Sequence, residues 1–335
     1  MRNATLAIWL VLIPLTSSAQ LFPRLGGQRA GISALTFLKM ETSPRAAALG
    51  GAGICLSGDA YSLLVHPAAM SELKGFSAGA SHTFWAADIN YSHFTATLPT
   101  LRGSFGISVQ GLSSGAMPVR TVFQPEGTGE MFYAYYMAAG IGYSRQLTDH
   151  FSWGTNVRYI REQLAEFSAN TVVVDLGFLY QTDFKDLRFA VLIQNFGPNS
   201  TLSGSIPTDT TFNPRAIRLD AYPAPTVFKL AVSFKPWESA DGRQTLTTFL
   251  QLNHPNDNSE NIRIGVEYAY AKLLFLRAGY KINVKDESWP TAGIGLRMQM
   301  GRNPLMLDYA MDPLRYLGMV HRVGLTFSLN KGETR

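Results

Sequence analysis

From about residue 75 to the end of the chain, apolar residues alternate with small or polar ones at a period of two. The stretch 319–330 shows this most clearly, because its odd-numbered positions are mostly large and apolar and its even-numbered positions mostly small or polar. The stretches 171–182, 261–270 and 273–284 repeat the pattern. Since successive side chains of a β-strand point to opposite faces, each stretch predicts a strand with one apolar face.

About fourteen segments of this kind follow one another, and most have about the 9–11 residues that a tilted strand needs to cross a bilayer. An even number brings both ends of a barrel wall to the same side, as in bacterial outer-membrane barrels. The pattern therefore predicts an all-β fold, an antiparallel transmembrane β-barrel of about 14 strands. The predicted strands lie near 75–84, 90–99, 103–112, 133–146, 150–162, 171–182, 186–197, 226–236, 243–253, 261–270, 273–284, 289–301, 304–311 and 319–330.

The connections between these segments largely alternate in length. The short joints lie near 99–102, 148–149, 183–185, 271–272 and 302–303, and the longer ones at 113–132, 163–170, 198–225, 254–260 and 312–318. Three joints depart from the alternation, namely 85–89, 237–242 and 285–288. Because bacterial barrels have short periplasmic turns and longer outer loops, we expect the long joints outside a Gram-negative cell and both termini in the periplasm.

The first 74 residues lack the two-residue period. Residues 1–19 combine a positive start, an apolar stretch and small residues, which predicts a secretory signal peptide. Residues 20–74 contain only short helical or irregular stretches and are too few for a separate domain with its own core. We expect them to form a hatch or plug inside a transmembrane barrel of residues 75–330, with residues 331–335 as a periplasmic tail.

The polar faces of the predicted strands carry charged residues. A fourteen-strand barrel encloses more space than its wall side chains fill, so its lumen holds water or a plug. We expect acidic plug residues to meet charged wall residues there, and such pairs either fasten the plug or line a substrate path. The expected lumen and hatch contacts are Glu41, Asp59, Arg158, Asp175, Arg263, Glu267, Arg277, Lys281 and Arg322.

Composition and motifs exclude several functional classes. Only 16% of the residues are charged and the net charge of +5 is spread along the chain, so no basic cluster indicates a nucleic-acid partner. Cys55 is the only cysteine, which excludes an internal disulfide. We find no Gly-rich phosphate loop, no paired Cys/His metal spacing and no nucleophile elbow. The sequence therefore predicts a protein without catalytic residues, metal or cofactor.

Several stretches resemble the PorV/PorQ family of outer-membrane proteins, which belongs with the FadL-like barrels. They are 31–39 with 46–52, 59–60 with 66–70, 264–268 with 276–280, and 307–310 with 321–327. Where the family shows Asn-Pro-Ala-Gly, this chain has His66-Pro67-Ala68-Ala69. The resemblance implies a fourteen-strand barrel with an N-terminal hatch. It also implies a part in type IX secretion, with cargo proteins and translocon or attachment subunits as partners.

Three functions are compatible with the sequence. The first is a non-enzymatic PorV/PorQ-type component that handles secretion cargo, with exposed aromatic residues of the long loops as contacts. The second is a FadL-like transport channel for hydrophobic small molecules, which requires an apolar pocket. The third is a soluble periplasmic β protein. A barrel also has outer-membrane lipids as partners. The aromatic contact candidates are Phe123, Phe132, Phe212 and Tyr222.

Overall fold

The structure, a computed structural model, describes residues 31–204, 219–284, 289–301 and 303–329. Within this part of the chain, fourteen strands close into an antiparallel barrel. The barrel strands are β1 (Ser77–Phe84), β2 (Asn90–Thr100), β3 (Gly103–Ser113), β6 (Ala134–Gln146), β7 (Phe151–Leu164), β8 (Phe167–Gln181), β9 (Arg188–Phe196), β10 (Val227–Glu238), β11 (Gln244–Pro255), β12 (Asn261–Tyr270), β13 (Leu274–Ile282), β14 (Thr291–Met300), β15 (Asn303–Leu314) and β16 (Gly318–Ser328).

Each barrel strand pairs with its neighbours in chain order, and β1 closes the ring by pairing with β16 from Ser77↔Ser328 to Phe84↔His321. Two further strands, β4 (Met117–Pro118) and β5 (Met131–Phe132), form a small hairpin between β3 and β6. A closed sheet leaves no unpaired edge, which a strand-built membrane protein requires because lipid cannot satisfy backbone N–H and C=O groups.

The fourteen strands predicted from the two-residue period are confirmed by this barrel. The largest difference in a boundary is at β8, which begins at Phe167 and not near residue 171. The ladder between β7 and β8 extends to the pair Leu164↔Phe167, across a turn in which Ala165 has a φ of 50°. Backbone pairing thus continues beyond the stretch in which side chains alternate.

The two faces of the wall differ as the alternation predicts. Large apolar residues such as Phe105, Ile107 and Ile141 are exposed on the outer face. The residues between them point inward and are small, polar or charged, as Ser108 and Asp175 are. A lipid bilayer solvates an apolar outer band of this kind, whereas water does not. Among the described residues, no helix has the length and apolarity needed to cross a membrane.

Four short helices precede the barrel. They are α1 (Thr36–Lys39, a 3-10 helix), α2 (Pro44–Ala48), α3 (Ser62–Val65) and α4 (Pro67–Glu72, a 3-10 helix). The α2 helix packs on β13–β16, whereas α4 packs on β6–β8 across the ring. Because both contact inward-facing residues of opposite walls, α2 and α4 lie inside the barrel. Residues 31–73 are called the N-terminal segment below.

Glycines on the inner wall make room for the N-terminal segment. A Cβ on Gly279 would lie 2.1 Å from the backbone nitrogen of Gly50, and one on Gly154 would lie 2.5 Å from that of Ala68. Any larger residue at these positions would overlap backbone atoms. The inward glycines that contact the segment are Gly79, Gly106, Gly142, Gly154, Gly177, Gly265, Gly279, Gly293 and Gly324.

The division of the chain into leader, plug, barrel and tail stays a prediction. The proposed leader, residues 1–19, and the proposed tail, residues 331–335, lie outside the described residues.

Candidate functional site

A chain of buried ion pairs joins α2 to the barrel wall. The carboxylate of Glu267 accepts hydrogen bonds from Arg45 Nε at 2.9 Å and Nη2 at 2.7 Å, and from Arg277 Nε at 2.6 Å. Arg277 also donates to Asp308 at 2.5 Å. The Arg277 side chain is fully buried. Since charge-assisted bonds of this kind are strong and directional, they fix α2 against β12–β15.

Further ion pairs surround this chain. Arg263 donates to Glu41 of the N-terminal segment at 2.9 Å. Lys281 and Arg322 share Asp312, at 2.9 and 3.4 Å. Asp312 is not among the expected lumen contacts, because it falls in the predicted joint 312–318. In the structure β15 extends to Leu314, so Asp312 lies on the same inward face as Asp308.

Arg158 and Asp175 form a separate buried cluster with Asn195. Arg158 Nη2 donates to Asp175 at 2.7 Å and to the Asn195 side chain at 2.5 Å, and the backbone N–H of Asn195 donates to Asp175 at 2.8 Å. Asn195 has a φ of 60° and lies where the β8–β9 register shifts, so it forms a β-bulge. Its side-chain amide donates to the carbonyls of Leu38 and Pro225, at 3.5 and 3.2 Å. The bulge therefore ties the wall to the N-terminal segment.

Asp59 differs from the sequence prediction, in which acidic plug residues meet the positive wall. Its ion pair, at 3.9 Å, is with Arg45 of the same N-terminal segment. The reason is that α2 places Arg45 beside Asp59, at the end of the barrel with the short turns. Glu72 does reach the wall, where Arg188 lies 3.0 Å away.

His66 joins α3 to α4 and is completely buried. Its ring packs over Gly177 of β8, and Nε2–H donates to the carbonyl of Val191 on β9 at 3.2 Å. Burial lowers the pKa of His66 to about 4, so the ring is neutral at physiological pH.

We expect the docking of α4 to weaken as the pH falls. Folding lowers the pKa of His66, so the neutral ring favours the folded state. This contribution to stability is complete above about pH 6.5 and is lost as the pH falls towards 4. A shift of this size corresponds to about 3 kcal/mol. Hydrogen exchange of residues 62–72 at pH 7, 5 and 4 measures the effect. His66→Asn keeps a donor without titrating, and unchanged pH dependence in this variant would contradict the assignment to His66.

The open spaces inside the barrel are lined by charged residues together with apolar ones. A cavity of about 640 Å³ at the end with the short turns includes Arg45, Asp59 and Arg297 in its lining. At the long-loop end, a cavity of about 240 Å³ includes Lys229 and Asp257. Between them the N-terminal segment fills the lumen, with Ala46 and Leu49 completely buried.

An apolar groove lies on the outside of the barrel. It has a volume of about 1050 Å³ and runs between the β4–β5 hairpin and the outer face of β6 and β7. The rings of Tyr133 and Tyr135 stack along it with centroids 5.8 Å apart. The groove is lined by Val119, Glu130, Met131, Phe132, Tyr133, Tyr135, Met137, Arg161, Gln163, Ala165, Glu166 and Phe167.

The four aromatic contact candidates have different positions. Phe132 lines the groove. Phe123 lies between β4 and β5, is 95% exposed and is not part of the groove lining. Tyr222 is exposed in the connection between β9 and β10, where its backbone pairs with Ser200. Phe212 lies outside the described residues.

The histidines of β1 and β2 point to opposite faces of the wall. His82 is on the outer face and hydrogen-bonds Ser92, whereas His93 is buried inside beside Ser81. Over the described ranges, no group of three or more His, Cys, Asp or Glu residues is placed to hold a metal ion.

Comparison of the fold with solved structures identifies similar outer-membrane channels. The Pseudomonas putida toluene transporter TodX has a TM-score of 0.57 and 13% identity, covering 91% of this chain and 100% of that one. The Ralstonia pickettii toluene transporter TbuX has a TM-score of 0.54 and 12% identity, covering 85% and 97%. A Pseudomonas aeruginosa FadL homologue has a TM-score of 0.51 and 10% identity, covering 86% and 97%.

These similarities show that the chain shares the β-barrel fold of these transporters and of the FadL homologue. No protein-family profile matches the sequence, and no curated protein matches it. The similar structures are described as transporters or channels for hydrocarbons, not as enzymes. The role in type IX secretion expected from the PorV/PorQ resemblance is contradicted by these similarities, which favour the channel alternative.

Proposed function

We propose that this protein is an outer-membrane channel for hydrophobic small molecules. The observation that carries the proposal is the apolar groove under the β4–β5 hairpin, since a concave apolar surface is what such molecules bind. The fold that the chain has in common with transporters of toluene and channels for monoaromatic hydrocarbons supports the same function. PorV/PorQ membership remains a prediction from the sequence.

In this proposal the long loops face the outside, and both termini of the barrel face the periplasm. The groove then lies at the outer rim, where it captures molecules before they enter the lumen. The N-terminal segment keeps the lumen closed to polar solutes, and the wall charges hold it in place. Labelling intact cells at a cysteine introduced in the 119–130 connection tests this orientation, since absence of labelling would contradict it.

The groove is tested by Phe132→Asp in the full-length protein. A carboxylate in an apolar groove has to be desolvated when a hydrocarbon binds, so we expect the affinity for toluene to fall by about tenfold or more. Equilibrium partition of labelled toluene into the detergent-solubilised protein measures the affinity. Uptake of toluene by cells that express the variant should fall in parallel.

Phe123→Asp is the matched control, because Phe123 belongs to the same connection but not to the groove lining. It should bind toluene like the unsubstituted protein. If the two variants bind equally well, the groove is not the capture site. If the unsubstituted protein binds no toluene or other small hydrocarbon, the channel function itself is wrong.

A further inference from the structure

The two ends of the lumen are filled differently. Towards the long loops, Phe37 and Leu38 of the N-terminal segment form one buried apolar cluster with Tyr91 of β2. Towards the short turns, the cavity of about 640 Å³ remains beside the segment. Pockets that bind small molecules have volumes of about 300–1,000 Å³, so this cavity has a suitable size.

Part of the lining of this cavity is apolar. Phe275 of β13 and Met306 of β15 contribute from the wall, and Leu73 contributes from the N-terminal segment. Side chains of this kind give apolar contacts to an aromatic ring or a short alkyl group. We therefore expect a ligand of the cavity to carry such a group.

The carboxylates of the lining are already compensated by arginines. The three pairs in the described part of the chain are Asp59 with Arg45, Glu72 with Arg188 and Asp308 with Arg277, at 3.9, 3.0 and 2.5 Å. Of the lining residues that the structure describes, no carboxylate is therefore free to attract a cationic ligand.

Two cations of the lining have no such compensation. Within the described ranges, neither Arg297 of β14 nor Lys74 forms an ion pair, and the Nε of Arg297 is buried without a hydrogen-bond partner. With Glu72 paired to Arg188, four cations and three carboxylates remain around the cavity. They are Arg45, Lys74, Arg277 and Arg297, and Asp59, Glu267 and Asp308.

Arg297 has the chemistry of an anion-binding group. Its guanidinium lies over the ring of Phe275, 5.7 Å from the centroid, which favours one orientation of the planar group. A planar guanidinium presents parallel N–H donors that match the two oxygens of a carboxylate. Because a buried donor without a partner is costly, an anion that accepts hydrogen bonds from Arg297 would be stabilised here.

We propose that this cavity binds hydrophobic carboxylates, which combine an aromatic ring or a short alkyl group with one carboxylate. Arg297 holds the carboxylate, and Phe275 and Met306 contact the apolar group. The site goes beyond the channel function and does not depend on it, since it lies at the opposite end of the lumen from the outer groove. Because the cavity lies beside the N-terminal segment, binding requires no movement of that segment.

The test is calorimetric titration of the detergent-solubilised full-length protein with 4-propylbenzoate, after subtraction of the heat measured with micelles alone. Arg297→Gln removes the charge and the planar fork, so we expect the affinity to fall by about tenfold or more. Arg297→Lys keeps the charge without the fork and should lose less. The neutral analogue 4-propylbenzamide should bind the unsubstituted protein about tenfold more weakly than 4-propylbenzoate does.

Arg243→Gln is the matched control. It removes one positive charge at the same end of the barrel, in the turn between β10 and β11, but Arg243 does not line the cavity. This variant should bind 4-propylbenzoate like the unsubstituted protein, and the heat-modifiable migration of each variant in gels shows whether it is folded.

Three results would overturn the proposal. They are equal binding of 4-propylbenzoate by Arg297→Gln and the unsubstituted protein, equal binding of the carboxylate and the amide by the unsubstituted protein, and loss of 4-propylbenzoate binding in Phe132→Asp, which would place the site in the outer groove. The comparison of carboxylate with amide decides even if Arg297→Gln does not fold. Toluene binding in the groove is measured separately, so failure of this site leaves the channel function standing, and the reverse also holds.

Discussion

Gly279→Val is expected to open the barrel to ions. The new side chain would point at the backbone of Leu49 and Gly50, which cannot rotate away, and a Cβ alone comes within 2.1 Å of it. Overpacking of this kind costs about 1–3 kcal/mol, so the population with an undocked N-terminal segment should rise by about 5- to 150-fold. Single-channel conductance in planar bilayers measures this population.

Gly111→Val is the matched control for this substitution. Gly111 lies on the outer side of β3, and a Cβ there meets no atom within 4 Å. Valine also suits a strand on a lipid-facing surface. Both variants should keep the heat-modifiable migration of a folded barrel in gels. Equal conductance of the two variants would mean that the inner-wall glycines do not hold the segment in place.

Glu267→Gln is expected to produce the largest loss of stability. The substitution leaves Arg45 with only its 3.9 Å ion pair to Asp59, and Arg277 with only Asp308. Removing one partner from a buried ion pair typically costs about 3–5 kcal/mol, because the remaining charge is buried without compensation. Unfolding in urea, followed by intrinsic fluorescence in detergent, measures the change in free energy.

Two further variants separate a charge effect from a packing effect. Arg45→Met with Glu267→Gln should cost less than the sum of the two single substitutions, since no unpaired charge remains on α2. Glu238→Gln, at the exposed end of β10, should leave the unfolding curve unchanged. Additive losses in the double variant would contradict the direct pairing of Arg45 with Glu267.

The strands of the barrel were predictable because the alternation is a local property of the chain. Each strand has lipid on one side and the lumen on the other, so its residues alternate with a period of two. Each strand can therefore be recognised from its own residues. The inward direction of Arg158, Asp175, Glu267 and Arg277 follows from the same period. Only the ends were missed, as at Phe167, where backbone pairing continues after the alternation stops.

The partners of the inward charges were not predictable from the sequence. Asp59 pairs with Arg45 of its own segment, and Asn195 enters the Arg158 cluster through a bulge. Both contacts depend on which parts of the chain the tertiary fold brings together. The prediction of a role in type IX secretion rested on short stretches such as those around His66 and Glu267, and the similar solved structures contradict it.

The sequence by itself determined the class of fold, the number of wall strands and the faces on which apolar and charged residues lie, because these depend on side-chain direction along one strand. Only the tertiary structure decided that the N-terminal segment is held by inner-wall glycines and the Glu267 ion pairs, that Phe132 lines a groove, and that Phe37 fills an apolar part of the lumen. Each of these features joins residues far apart in the chain. The distances between these residues are set by closure of the barrel, and no local sequence pattern predicts them.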